Sequence, residues 1–136
     1  MIEAVRVGLI TLTSWLALTE TPPPPPPPPP PLPYVNLVDR DPVARAVAAC
    51  ESVGDVGGIP DYSAENPTST ASGAFQFLDG TFEWVTGLPG PTSAHPPEVQ
   101  DRAFLDLWDE GRGKSHWNPS RYCWESTINR IEGKQS

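Results

Sequence analysis

A mainly helical α+β domain over residues 38–124 is what this 136-residue chain predicts, preceded by an apolar N-terminal helix and a polyproline II spacer. Three observations carry the prediction. Ten consecutive prolines, Pro22 to Pro31, separate a short apolar run from everything that follows. Beyond them, apolar residues recur at helical spacing in several short stretches. After the first of these the period is lost among glycines, prolines and small polar residues, the composition of a loop or a small irregular hairpin. The resulting division is an apolar signal or anchor segment over 1–20, a polyproline linker over 21–37, the folded domain over 38–124 and a polar C-terminal tail over 125–136.

The N-terminal run, Val7 to Leu18, is too short to span a bilayer comfortably and has the length of a signal-peptide core. Its flanks are poor: Arg6 is offset by Glu3, and Ala17-Leu18-Thr19 is the nearest approach to a cleavage site. A secretory signal or uncleaved anchor is the preferred reading, and a helix docking onto a larger assembly such as a virion is its rival. The prolines that follow lack backbone donors and have a fixed φ, so they extend as a semi-rigid rod of roughly 35 Å. A spacer holding the domain away from a surface is the natural use of such a rod.

The domain opens with a helix. Asp41 suits its N-cap and Pro42 its first turn, and Val43, Ala46, Val47 and Cys50 fall on one stripe. Glu51 then lies at the edge of that stripe, near the last turn. A carboxyl there can be half-buried yet face a cleft, and desolvation would raise its pKa toward what a general acid needs. Position alone equally describes a solvated glutamate ending a helix. A second short helix follows Asp79, taken as its cap, and contains Phe82, Trp84 and Val85. A third starts after Pro96-Pro97 with the stripe Val99, Ala103, Phe104, Leu107 and Trp108, ended by Gly111. Lys114 to Ser120 reads as a loop carrying Trp117.

Charge and side-chain inventory exclude several functions. The formal charge is −8, and residues 39–124 hold thirteen acidic against six basic residues, which disfavours duplex nucleic acid as a partner. His95 and His116 lack metal-ligand company and two cysteines do not make a zinc site, so no metal and no cofactor are expected. One disulfide between Cys50 and Cys123 is the best use of the two thiols, against the alternative of two unrelated buried cysteines.

The run Ala49-Cys50-Glu51-Ser52, the stretch from Tyr62 to Trp84 with Gly73-Ala74-Phe75-Gln76-Phe77, the helix Gln100 to Trp108 and the segment Trp117 to Cys123 together resemble the transglycosylase-like domain of actinobacterial resuscitation-promoting factors. That family belongs to the lysozyme and lytic transglycosylase superfamily. The resemblance covers about 60% of the chain, from about Pro42 to Trp124. It implies a compact lysozyme-like fold, the Cys50–Cys123 disulfide, an extracytoplasmic location and a monomer acting on peptidoglycan glycan strands. It also implies that Glu51 is the catalytic glutamate and that Gln76 lines the glycan cleft.

Catalysis of that kind needs a single carboxylate, which would protonate the glycosidic oxygen and then accept a proton from the muramyl 6-hydroxyl. A hydrolase of the same fold usually wants a second, for which Asp55, Asp61, Glu65 and Asp79 are candidates. Further substrate-binding candidates are Gly73, whose missing side chain would let a sugar approach, Ser52, Asn66 and Trp84. Aromatic residues of a small domain are more often core, and Trp117 is weighed on the same footing. Two departures stand out. Val53 to Asp61 is longer and more acidic than the family pattern. The tyrosine that supports the glutamate in larger transglycosylases has no evident counterpart, with Tyr62 and Tyr122 as the substitutes considered. A binding module that keeps the cleft without cutting, and an inert structural head, are the competing readings from other classes.

Overall fold

A computed structural model of the protein describes residues 20–134. The signal, anchor or docking assignment for residues 1–20 lies outside the described residues except at Glu20. The chain divides after Leu32 into two units, each considered by itself. Glu20 to Leu32 has no helix or strand and is exposed throughout, as a donor-free proline run must be. Among the described residues no helix is long and apolar enough to cross a membrane.

From Pro33 onward four α-helices and several 3-10 turns surround one apolar core. Helix α1, Pro42–Ser52, starts where expected: the Asp41 carboxylate accepts from the N–H groups of Val43 at 2.9 Å and Ala44 at 3.3 Å. Its burial is wider than a single stripe. Ala44, Ala46, Val47, Ala48, Ala49 and Cys50 are all buried, because alanines let neighbouring elements close on several sides. The helix is therefore central, and it packs chiefly on the last helix, α4, Arg121–Ile131.

Two expected boundaries differ in the structure. Residues 125–136 were expected as a polar tail, but α4 runs to Ile131 and buries Trp124 and Ile128. The charged residues of this segment occupy its solvent face, which hid a sparse apolar period. At the other end Leu37 and Val38 are buried, so the domain begins ahead of residue 38. A disulfide joins Cys50 on α1 to Cys123 on α4, with 5.9 Å between their Cα atoms.

Between α1 and the second helix there is no true hairpin. Two isolated antiparallel bridges, Glu65 with Ser72 and Ser72 with Phe77, fold the chain back twice. Arms this short cannot carry a ladder, and single bonds hold them instead: Asn66 N to Ala71 O, Gly73 N to Ala64 O and Ser72 N to Phe77 O. Helix α2, Asp79–Thr86, buries Phe82. Its cap position is Leu78 without a side-chain bond, so Asp79 is not the cap expected of it. Instead Asp79 begins the helix, and one of its carboxyl oxygens is buried beside Gly90.

Helix α3, Pro97–Trp108, buries Ala103, Phe104, Leu107 and Trp108 as predicted. Its C-cap is Asp109 in the left-handed region at φ 48°, not Gly111. The glycine that matters is Gly113, where a Cβ would lie 1.7 Å from the Leu107 carbonyl oxygen. Only a residue without a side chain lets the chain return across the end of α3. The segment Lys114–Ser120 is not a plain loop but a 3-10 stretch interrupted at Trp117. Phe75 stacks on Phe104 at 4.3 Å between ring centroids, and Trp108 and Trp117 extend the aromatic core.

Two polar residues on α3 are buried with these aromatics. Gln100 is fully buried; its Oε1 accepts from Ala74 N at 3.0 Å, and its Nε2 donates to the carbonyls of Tyr62 at 3.0 Å and His95 at 2.9 Å. Asp101 accepts from the Tyr34 hydroxyl at 2.6 Å, Leu37 N at 2.9 Å and the Tyr62 hydroxyl at 2.6 Å. Burial, and then the bond to Asp101, push both tyrosines above their ordinary pKa. Asp101 thus ties the entry segment and the long loop to α3. Asp101→Ala would leave three donors without their acceptor, with an expected loss of about 3 kcal/mol in urea unfolding. A loss below about 1 kcal/mol would show that water replaces the carboxylate without penalty.

Candidate functional site

Glu51 sits in the last turn of α1, one residue beyond the disulfide and at the edge of the buried face. Its burial is intermediate. Removal from water pushes its carboxyl above the ordinary value, and a hydrogen bond from Ser120 partly offsets this by favouring the charged form. A carboxylic acid held in this way keeps its proton to higher pH and so can donate it.

Its hydrogen-bond partner is Ser120, at the end of the 3-10 stretch that precedes α4; the Ser120 hydroxyl donates to Glu51 Oε1. The Trp124 indole N–H in turn donates to Ser120 Oγ at 3.0 Å. Neither of the tyrosines considered as supports fills this place. Tyr62 is committed to Asp101, and Tyr122 is 88% exposed. Ser120 was missed by the sequence reading because its contact with Glu51 spans 69 positions and no local pattern marks it.

Ser52, next to Glu51, is turned to another task. Its hydroxyl donates to Ala48 O at 2.7 Å and accepts from Asp61 N at 2.9 Å. It therefore pins the far end of the Val53–Asp61 loop to α1 and makes no bond to Glu51. Within that loop, Asp55 Oδ1 accepts from Gly57 N at 3.1 Å, and Val53 and Ile59 remain exposed.

Gly73 and Gln76 are brought together in one turn. Gln76 has φ 52°, and its side-chain amide donates to Gly73 O at 3.0 Å and Ala64 O at 3.5 Å. Gly73 has φ 82°, and a Cβ there would come within 2.4 Å of Gln100 Oε1. The close approach that Gly73 permits in this structure is thus to Gln100. Asn66 is exposed and caps its own turn, accepting from Thr68 N at 2.9 Å and Thr68 Oγ1 at 3.0 Å. With Glu65, Ser69, Thr70 and Asp79 it lines a shallow cavity of about 240 Å³.

Trp84 is 72% exposed on α2 and lines a shallow depression with Val85, Asp106 and Leu107. Its ring lies 6.4 Å from that of His116. Trp117 is core, 4% exposed, with its indole N–H donating to Phe75 O at 3.0 Å. Among the candidate second carboxylates, Asp61 is held below its ordinary pKa by the Ser63 hydroxyl and N–H. None of Asp55, Asp61, Glu65 and Asp79 shares a hydrogen bond with Glu51 among the described residues. No group of three or more His, Cys, Asp or Glu placed to hold a metal ion occurs among the described residues either.

About half of the chain is similar in sequence to staphylococcal proteins. Over 74 residues, 52% of this chain, it is 40% identical to the probable transglycosylase SceD of Staphylococcus epidermidis. It is 39% identical over 74 residues to probable transglycosylase SceD 2 of Staphylococcus saprophyticus, and 37% identical over 76 residues to probable transglycosylase SceD of Staphylococcus aureus strain Newman. The chain spans 31%, 27% and 30% of the length of these curated relatives. No protein-family model and no solved structure matches it. The domain is thus transglycosylase-like in sequence and mainly helical in structure.

Proposed function

We propose that this chain is a peptidoglycan-cleaving lytic transglycosylase with a lysozyme-like domain of the resuscitation-promoting-factor type, acting through Glu51 alone. The observation that carries the reading is the half-buried carboxyl of Glu51, raised in pKa by desolvation, and the names of the relatives support the reaction class.

In this mechanism the protonated Glu51 gives its proton to the glycosidic oxygen between N-acetylmuramic acid and N-acetylglucosamine. The C1–O bond breaks, the N-acetylglucosamine chain leaves as an alcohol, and positive charge develops on the muramyl ring. The Glu51 carboxylate then removes the proton of the muramyl 6-hydroxyl, whose oxygen closes on C1 to form the 1,6-anhydro ring. The acid is thereby regenerated, and no second carboxylate or water is consumed.

The glycan is itself anionic and the domain acidic, so binding rests on hydrogen bonds and stacking. Gln76 and Asn66 offer polar groups, and the exposed indole of Trp84 offers a stacking face. The Cys50–Cys123 disulfide supports an extracytoplasmic location, where such bonds persist.

Mass spectrometry of peptidoglycan digested with the purified chain tests the reading. Anhydro-muropeptides are the expected products. Reducing-end products would identify a muramidase instead, and binding without release would overturn the enzyme reading in favour of a glycan-binding module.

A further inference from the structure

A serine hydroxyl has one proton to give and two lone pairs to receive. At Ser120 the proton and one of the lone pairs are assigned. The Trp124 indole N–H donates to its oxygen at 3.0 Å, its own proton faces Glu51 Oε1, and the Trp117 carbonyl at 3.2 Å is the alternative acceptor. Trp124 is 2% exposed and packs edge-on against Trp108, so the indole cannot swing away. The disulfide partners are equally close in sequence: Cys50 precedes Glu51, and Cys123 lies three residues beyond Ser120. Both ends of the Ser120–Glu51 bond are thus fastened to the same covalent link between α1 and α4.

Nor is the hydroxyl there to begin the helix. Ser120 occupies the N-cap position of α4 but makes no side-chain bond to the backbone of that helix. Its donor is directed wholly to the side of Glu51 and Trp117.

We propose that Ser120 is the positioning residue for Glu51: held by Trp124, its hydroxyl occupies Oε1 and leaves Oε2 to carry the proton to and from the substrate. The inference rests on Glu51 being the acid of the reaction. In the charged state the same bond stabilises the carboxylate, so the group is kept in one orientation through both proton transfers. A glutamate side chain otherwise has several rotamers at a helix end, and a misplaced oxygen forfeits the geometry that proton transfer demands.

The test compares full-length wild type, Ser120→Ala and Ser120→Thr on soluble uncrosslinked glycan strands, with kcat, KM, pH profile and thermal denaturation measured for each. Ser120→Ala is expected to lower kcat about tenfold, the size of one charge-assisted hydrogen bond, with KM unchanged and a melting temperature lower by about 4–8 °C because the buried Trp124 indole N–H loses its acceptor; kcat is compared well below both melting temperatures. Its activity should persist to higher pH, because the bond that favours the carboxylate is gone. Ser120→Thr, which keeps the hydroxyl, should recover most of the loss. Wild-type kcat and pH profile in Ser120→Ala would overturn the inference, as would a loss that follows melting temperature and is not rescued by threonine. NMR titration of the Glu51 carboxyl reads the bond without turnover: an unchanged pKa in Ser120→Ala would also overturn it. Glu51→Gln separates the two readings. If that variant is inactive while Ser120→Ala equals wild type, the positioning role fails alone; if Glu51→Gln turns over normally, the acid assignment fails and the positioning role falls with it.

Discussion

Glu51→Gln is expected to abolish muropeptide release, by about a thousandfold or more in kcat, since a positioned general acid and base contributes roughly 10² to 10⁴. Glutamine preserves the shape of the side chain and can still accept from Ser120, but it has no proton to give the leaving oxygen and no basicity to take one back. The fold should survive, and the pH dependence of stability supplies a second readout. Burial raises the Glu51 pKa in the folded state above its value in the unfolded chain. The native protein therefore binds more protons than the unfolded one between those two values, and stability falls as pH rises through that window. Glu51→Gln removes that dependence, so it should be more stable than wild type at neutral pH and lose the advantage below the ordinary glutamate range. Denaturant melts at several pH values would show it. A Glu51→Gln variant that releases anhydro-muropeptides at the wild-type rate would remove Glu51 from the chemistry altogether.

Breaking the disulfide should have the largest effect on stability. Cys50 and Cys123 are separated by 73 positions, and closing a loop of that size constrains the unfolded chain by roughly 4 kcal/mol in the chain-entropy model. In a domain this small that is a large part of the net stability, and the melting temperature of the Cys50→Ala, Cys123→Ala double variant is expected to fall by about 15–30 °C. The consequences reach the site, because the link also holds α1 against α4 where Glu51 meets Ser120. At temperatures where the double variant is still folded, its kcat should fall too. A variant that melts within about 5 °C of wild type would mean that the α1 to α4 packing holds without the link.

Several parts of this arrangement were legible before any coordinates. Asp41 and Pro42 mark the start of α1 through local capping chemistry, and the stripe of α3 follows from a 3.6-residue period. The loss of period after Val53 correctly denied that region a regular element, though the expected hairpin proved to be two isolated bridges. What failed were inferences that depended on distant partners. Asp79 looks like a cap but starts its helix, and Gly111 looks like a terminator although Asp109 caps α3. Gln100 and Asp101, polar residues outside the predicted apolar stripe, are buried because the loops on either side bring donors and acceptors to them. One signal was available: Gln100 stands at i, i+4 and i+7 from Phe104 and Leu107, on the face that packs inward.

The sequence by itself determined an exposed proline run without helix or strand, the helical character of the domain, the first three helices and Glu51 as the residue to watch, because capping, periodicity and composition act between neighbours in the chain. Tertiary structure alone decided that α4 replaces a tail, that Ser52 holds a loop, that Gly73 makes room for Gln100 and that Ser120 with Trp124 holds Glu51. Each of those outcomes depends on which groups are desolvated together across tens of residues, and a hydrogen bond or a burial of that range leaves no period for a reader of the chain to find.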